Sequence, residues 1–148
     1  MSHSRAQIYI HCVCETTNRQ NLIPTGLLEE LWAYHVGIGR NKGIPLLAVG
    51  GIENHIHLLI ELPPTKSLAE AINIFKSNSS RWIKTNGVKD FSWQIGYGAF
   101  SISPRQLGAV KKYIRNQREH HKHQTYEEEF VELLKLAESE YDSDHVFD

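Results

Sequence analysis

The chain has 148 residues, 22% charged and 41% hydrophobic, enough for one ordinary domain that buries roughly two-thirds of its unfolded surface and too few for two independent cores. No run approaches the ~20 consecutive apolar residues that cross a bilayer, and the start MSHSRAQIYIHCVCE lacks the apolar core of a signal peptide. The expected location is therefore the cytoplasm, with no membrane partner.

The net charge of −1 hides a split. From residue 127 onward nine acidic residues face the single cation Lys135, a tail of −8, which leaves 15 Lys and Arg against 8 Asp and Glu in residues 1–126. This body of +7 suits a polyanionic partner, although a charged helix face is as often simply solvated. The expected organisation is one domain over residues 1–126 followed by an acidic tail over 127–148. In that tail Phe130, Leu133, Leu134 and Ala137 are spaced for one amphipathic helix.

In QIYIHCVC, residues 7–14, Ile8, Ile10, Cys12 and Cys14 alternate onto one face of a half-buried first strand. Two thiols so placed read as small buried hydrophobes, not as a disulfide or a metal pair. Leu27, Leu28, Leu31, Trp32, His35 and Ile38 then follow a helical period, with Gly39 and Gly43 as stopping points. IPLLAVGG and HIHLLIEL are two apolar runs around the polar Glu53 and Asn54, the pattern of an antiparallel pair closed by Pro63 and Pro64. Ser67 and Glu70 begin a second helix over about 67–85, with Leu68, Ala71, Ile72, Phe75 and Trp82 on one face. FSWQIGYGAFSIS reads as a fourth strand, and Ser103, Pro104 and Gln106 start a third helix over about 104–123.

Strand, helix, strand, strand, helix, strand is the order of a ferredoxin-like α/β (α+β) fold: a four-stranded antiparallel sheet with helices on one face, the other face left free, followed by a C-terminal tyrosine-bearing helix.

Chemistry concentrates in two places. His55 and His57, two apart on one strand, point the same way onto an open face and lie roughly 6.5–7 Å apart along it, close enough to converge on a metal ion. An H-x-H pair alone also reads as surface or hydrogen-bonded histidines. Tyr113 and Gln117, four apart, share a helix face beside the packing stripe Leu107, Val110 and Ile114, and a tyrosine there also reads as an edge-packed ring with a wet hydroxyl. His120, His121 and His123 do not all share a helix face and are expected to be solvated. No G-x-x-x-x-G-K-[ST] loop occurs, so no nucleotide cofactor is expected.

HIH within NHIHLLIEL, the strand WQIGYGAFSIS and the helix VKKYIRNQ, in that order, resemble the single-tyrosine branch of the HUH transposases of insertion sequences and REP elements, U being a hydrophobic residue. The resemblance covers residues 7–123 and includes FKSNSSRW. It implies an enzyme that cuts and rejoins single-stranded, hairpin-forming DNA as a homodimer, with Tyr113 as nucleophile and a 5′-phosphotyrosine intermediate. It further implies His55, His57 and Gln117 as ligands of a divalent cation, Mg²⁺ or Mn²⁺. Phosphate contacts are expected from Lys76, Arg81, Lys84, Lys111, Lys112, Arg115 and Arg118; Trp82, Trp93 and Tyr97 are candidates for base stacking, although a Trp on the apolar stripe of a helix, as Trp82 is, more often belongs to the core. The rival readings are a non-catalytic single-strand-binding module on the same fold, and a phosphoesterase that uses water as nucleophile.

Overall fold

Alternation in the sequence becomes a sheet whose two faces carry different chemistry. The computed structural model describes residues 4–138 and 143–147; Glu140, Asp142 and Asp148 of the acidic tail lie outside them. Strands β1 (Tyr9–Glu15), β2 (Leu46–Ile52), β3 (His55–Glu61) and β4 (Gly98–Ile102) pair antiparallel in the order β2-β3-β1-β4. With helices α1 (Leu28–Lys42) and α2 (Leu68–Thr85) this is the ferredoxin-like order that the sequence implies.

One face of the sheet presents Ile10, Cys12, Cys14, Ile56, Leu58 and Ile60, which pack with Ile38 of α1 and with Ala71, Ile72 and Phe75 of α2. Both cysteines are free and buried, and burial pushes the Cys14 thiol up to about 11, as expected of buried hydrophobes. The apolar stripe of α1 includes His35, whose Nδ1 donates to the Leu31 carbonyl while its ring stacks on Phe75. Burial pushes its pKa down to about 4. α1 runs through Gly39 and stops at Gly43, whose φ of +69° lets the chain turn left-handed. Ser67 caps α2 by accepting the Glu70 N–H at 3.1 Å.

The opposite face is not free. Helix α3 (Leu107–Arg115) lies on it, with Leu107, Val110, Tyr113 and Ile114 against Ala48 and Leu59. The stripe foreseen for the tyrosine helix is the seal of this second face, and it leaves β3 buried over residues 55–60. Gly50 permits the approach, because a Cβ there would meet the Ile114 carbonyl oxygen at 2.2 Å.

Two expected boundaries differ. The third helix does not run unbroken to residue 123: a 3-10 turn over Pro104–Gln106 leads into α3, Asn116 leaves helical geometry at φ −99° and ψ 22°, and a short α4 (Gln117–His120) follows. The fourth strand begins only at Gly98. Before it, Trp93 makes a single antiparallel bridge with Thr16, the Gln94 N–H bonds back to the Glu15 carbonyl and Gly96 takes φ +93°, so the expected strand is reduced to one bridge and a fastened loop.

The chain divides into two compact units, the first up to Gln117 and the second from Arg118. In the second, α5 (Tyr126–Leu136) is the helix foreseen in the tail; Thr125 caps it, and Glu128 returns the bond to the Thr125 N–H at 3.1 Å. His121 is not solvated. Its Nδ1 donates to the Gln124 carbonyl at 2.7 Å, and its Nε2 lies 3.0 Å from a carboxylate oxygen of Glu129. Both partners are acceptors, so the arrangement favours the doubly protonated ring. Burial opposes that charge, but the hydrogen bond and charge of Glu129 outweigh it and raise the pKa of His121. His123 is exposed, as expected.

Two outcomes follow from this packing. Gly50→Ala should cost about 1–3 kcal/mol through backbone overpacking, read as a lower Tm, whereas Gly108→Ala, with nothing within 4 Å of the added methyl, should gain about 0.5–1 kcal/mol from helix propensity. Because the folded pKa of His121 is raised, its pairing with Glu129 stabilises fully below an unfolded value of ~6.5 and is lost as pH rises through the folded pKa. Hydrogen exchange of α5, corrected for intrinsic rates, should accordingly show less protection at pH 8.5 than at pH 5.5, and His121→Gln should flatten the difference.

Candidate active site

Strand β3 presents every second residue to α3, which places His55, His57 and Leu59 beneath that helix. Both imidazoles are fully buried, with ring centroids 5.0 Å apart at 77°. The half-buried ring of Tyr113 sets its edge against His57, centroids 5.8 Å apart and planes at 87°. Gln117, just past the break at Asn116, is also buried and turns its Oε1 to within 3.0 Å of Nε2 of His55. The four residues singled out from the motifs therefore form one cluster, and what changes is its setting, which is buried where the sequence suggested an open face.

The hydrogen bonds fix which atoms are offered. Asn54 directs its Nδ2 to the Arg19 carbonyl at 3.5 Å and its Oδ1 to Nδ1 of His55 at 2.8 Å. An amide oxygen only accepts, so Nδ1 carries the proton and a neutral His55 has its lone pair on Nε2. Gln117 directs its Nε2 toward the Tyr113 carbonyl at 3.5 Å, which leaves Oε1 as the atom facing His55. Two acceptor oxygens therefore flank the ring, and the 3.0 Å contact at Nε2 is bridged either by a proton or by a cation in its place. The donor set thus fits a divalent cation: an imidazole nitrogen and an amide oxygen that already converge, with His57 beside them.

His11 belongs to the cluster and to none of the motifs. It is buried on β1, where it pairs with Leu59, and its Nε2 lies 2.7 Å from Nδ1 of His57. Its ring also meets Tyr113 edge-on at 6.2 Å. The available signal was its position in the alternation opposite Cys12 and Cys14, which becomes informative only once β1 is known to be the neighbour of β3.

The basic residues divide. Arg81, Lys84, Lys112, Arg115 and Arg118 are exposed and Lys111 is partly so. Lys76 is engaged otherwise, since its Nζ donates to the carbonyls of Gln94 at 2.7 Å and Gly96 at 2.8 Å and fastens the loop before β4. Trp82 stacks on Tyr34 with centroids 5.3 Å apart, and Trp93 donates its indole N–H to Ser79. Tyr97 and Ile95 in the fastened loop are exposed.

Residues 4–117 match the family model described as "Transposase IS200 like", a span that coincides with the first compact unit. The chain belongs to this family of single-tyrosine HUH transposases. Its fold is shared by a protein of Deinococcus radiodurans R1 described as a candidate transposase, at 18% identity and TM-score 0.63 over 79% of this chain and 95% of that one. It is shared also by a REP-associated tyrosine transposase bound to a REP hairpin, at 17% identity and TM-score 0.58 over 82% of this chain and 74% of that one. Among curated proteins none matches the chain significantly. No helix among the described residues is long and apolar enough to cross a membrane.

The amide oxygen of Gln117 makes a test, because Gln117→Met removes it at similar volume and leaves both imidazoles in place. With Mn²⁺ at one hundred times the wild-type Kd, wild type should gain about 2.7 kcal/mol of stability and the variant should lose most of that gain, as thermal scans with and without metal would show.

Proposed function

We propose that the protein cleaves and rejoins single-stranded DNA through a covalent bond to Tyr113. The observation that carries this reading is the meeting of Nε2 of His55 and Oε1 of Gln117 at 3.0 Å beside the Tyr113 and His57 rings, in a chain of the IS200-like family.

His55, His57 and Gln117 would hold Mg²⁺ or Mn²⁺. When bound, such a cation supplies positive charge to the oxygens of the scissile phosphate and to the developing charge of the transition state. The Tyr113 oxygen attacks phosphorus as its proton departs. The bond from phosphorus to the 3′-oxygen breaks, and that oxygen leaves as a 3′-hydroxyl after taking a proton. The 5′-phosphotyrosine keeps the free energy of the phosphodiester, so attack by another 3′-hydroxyl rejoins strands and releases Tyr113 without ATP. Burial of the histidine pair and the tight seat of α3 restrict water near that bond and favour transfer over hydrolysis.

Arg81, Lys84, Lys111, Lys112, Arg115 and Arg118 are the cations available for the phosphate backbone, and Tyr97 is the exposed ring available for stacking. The REP-associated transposase of similar fold is bound to a hairpin, which supports a hairpin-forming single strand as partner here, acted on by a homodimer in the cytoplasm. The reading as a sheet-borne binding module is disfavoured, because α1 and α2 cover one face of the central strands and α3 covers the other.

Incubation with single-stranded DNA from the flanks of its own gene should yield a denaturant-resistant adduct with Mn²⁺ and none with EDTA. Tyr113→Phe should abolish adduct and cleavage together, by at least a thousandfold. Cleavage that survives this substitution would make water the nucleophile and overturn the proposal.

A further inference from the structure

The hydrogen bond between His11 and His57 joins two imidazoles, and at 2.7 Å between Nε2 of His11 and Nδ1 of His57 it requires one proton and one lone pair. A neutral imidazole has one of each, so the direction of this bond sets the tautomer of His57. If His57 donates from Nδ1, its Nε2 keeps a lone pair that can ligate. If His11 donates, Nε2 of His57 carries the proton and is blocked.

His55 shows how the site is built. Its Nδ1 is held by Oδ1 of Asn54, which can only accept, so Nε2 is the nitrogen offered. His57 stands two residues along the same strand face and also has Nδ1 engaged. The β1–β3 register places Val13 opposite His57 and His11 opposite Leu59, so His11 reaches His57 diagonally from the neighbouring strand. The rings of Phe100 and Tyr113 also stand against the His11 ring, with centroids 6.1 and 6.2 Å away.

We propose that His11 is a positioning residue that accepts the Nδ1–H of His57 and holds the second imidazole of the H-U-H pair in the tautomer whose Nε2 keeps the lone pair of a ligand. The inference rests on the reading of His57 as a metal ligand. Ligating imidazoles commonly donate their other N–H to a fixed acceptor that orients the ring. Asn54 fills that place for His55 and His11 fills it for His57. The neighbouring strand therefore determines which nitrogen of His57 is offered, a task that no residue of the motifs performs.

The test uses the full chain labelled with ¹⁵N-histidine and freed of metal, with two-bond ¹H–¹⁵N spectra to read the His57 tautomer and the electron paramagnetic resonance of free Mn²⁺ to read affinity. Wild-type His57 should be protonated at Nδ1. His11→Phe, which keeps a ring but no acceptor, should move the proton to Nε2 and weaken Mn²⁺ binding by ten- to a hundredfold. His11→Gln, whose amide oxygen can accept in place of Nε2, should restore both. A purely structural role for His11 would lower Tm in both variants without moving the proton. Wild-type His57 protonated at Nε2 overturns the proposal, as does a His11→Phe tautomer that shifts without any change in affinity. Should His11→Phe fail to fold, the wild-type spectrum and His11→Gln still decide. Wild-type protein that keeps Nδ1–H yet binds no Mn²⁺ would remove the metal reading and leave the direction of the hydrogen bond standing.

Discussion

The close seat of α3 on β2 is the constraint on which the site depends. It exists because residue 50 has no side chain: a methyl group there would stand 2.2 Å from the Ile114 carbonyl oxygen. Tyr113 immediately precedes Ile114, and Gln117 follows three residues later. A helix held away from the strand would carry both residues with it and open the 3.0 Å approach of Gln117 to His55. One bare strand position thus sets the height of the tyrosine above the histidine pair. The apolar seal of Leu107, Val110 and Ile114 on Ala48 and Leu59 then supplies the burial that keeps the helix there.

Within that frame the histidines are held through Nδ1 and offered through Nε2. Backbone pairing orients the strand, Asn54 holds one ring and His11 the other, and the break at Asn116 turns Gln117 inward. The loop before β4 is held in a related manner, with the ammonium of Lys76 bridging two carbonyls so that Ile95 and Tyr97 stand exposed.

Much of this was legible along the chain because it depends on short periods. Alternation placed Cys12 and Cys14 on one face of β1 and both histidines on one face of β3. Capping chemistry at Ser67 located the start of α2 to within a residue, and spacing on the tyrosine helix put Tyr113 and Gln117 on one face beside the packing stripe. The errors were equally physical. The break at Asn116 has no glycine or proline to announce it, and the loop before β4 is fastened at Gln94 and Gly96 by Lys76, which comes from a different element. His121 looked solvated because its partner Glu129 sits on the next helix, eight residues away, where a helical wheel drawn through residue 123 does not reach.

The amino-acid sequence by itself determined the order of strands and helices, the face on which each histidine lies and the family to which the chain belongs, since these follow from local periodicity and short motifs. Only the tertiary structure decided that the second sheet face is covered, that His11 stands beside His57, and that Nε2 of His55 and Oε1 of Gln117 converge. Those facts depend on which strand lies next to which and on how near a helix can approach a glycine, and neither distance is written in the spacing of residues along one element.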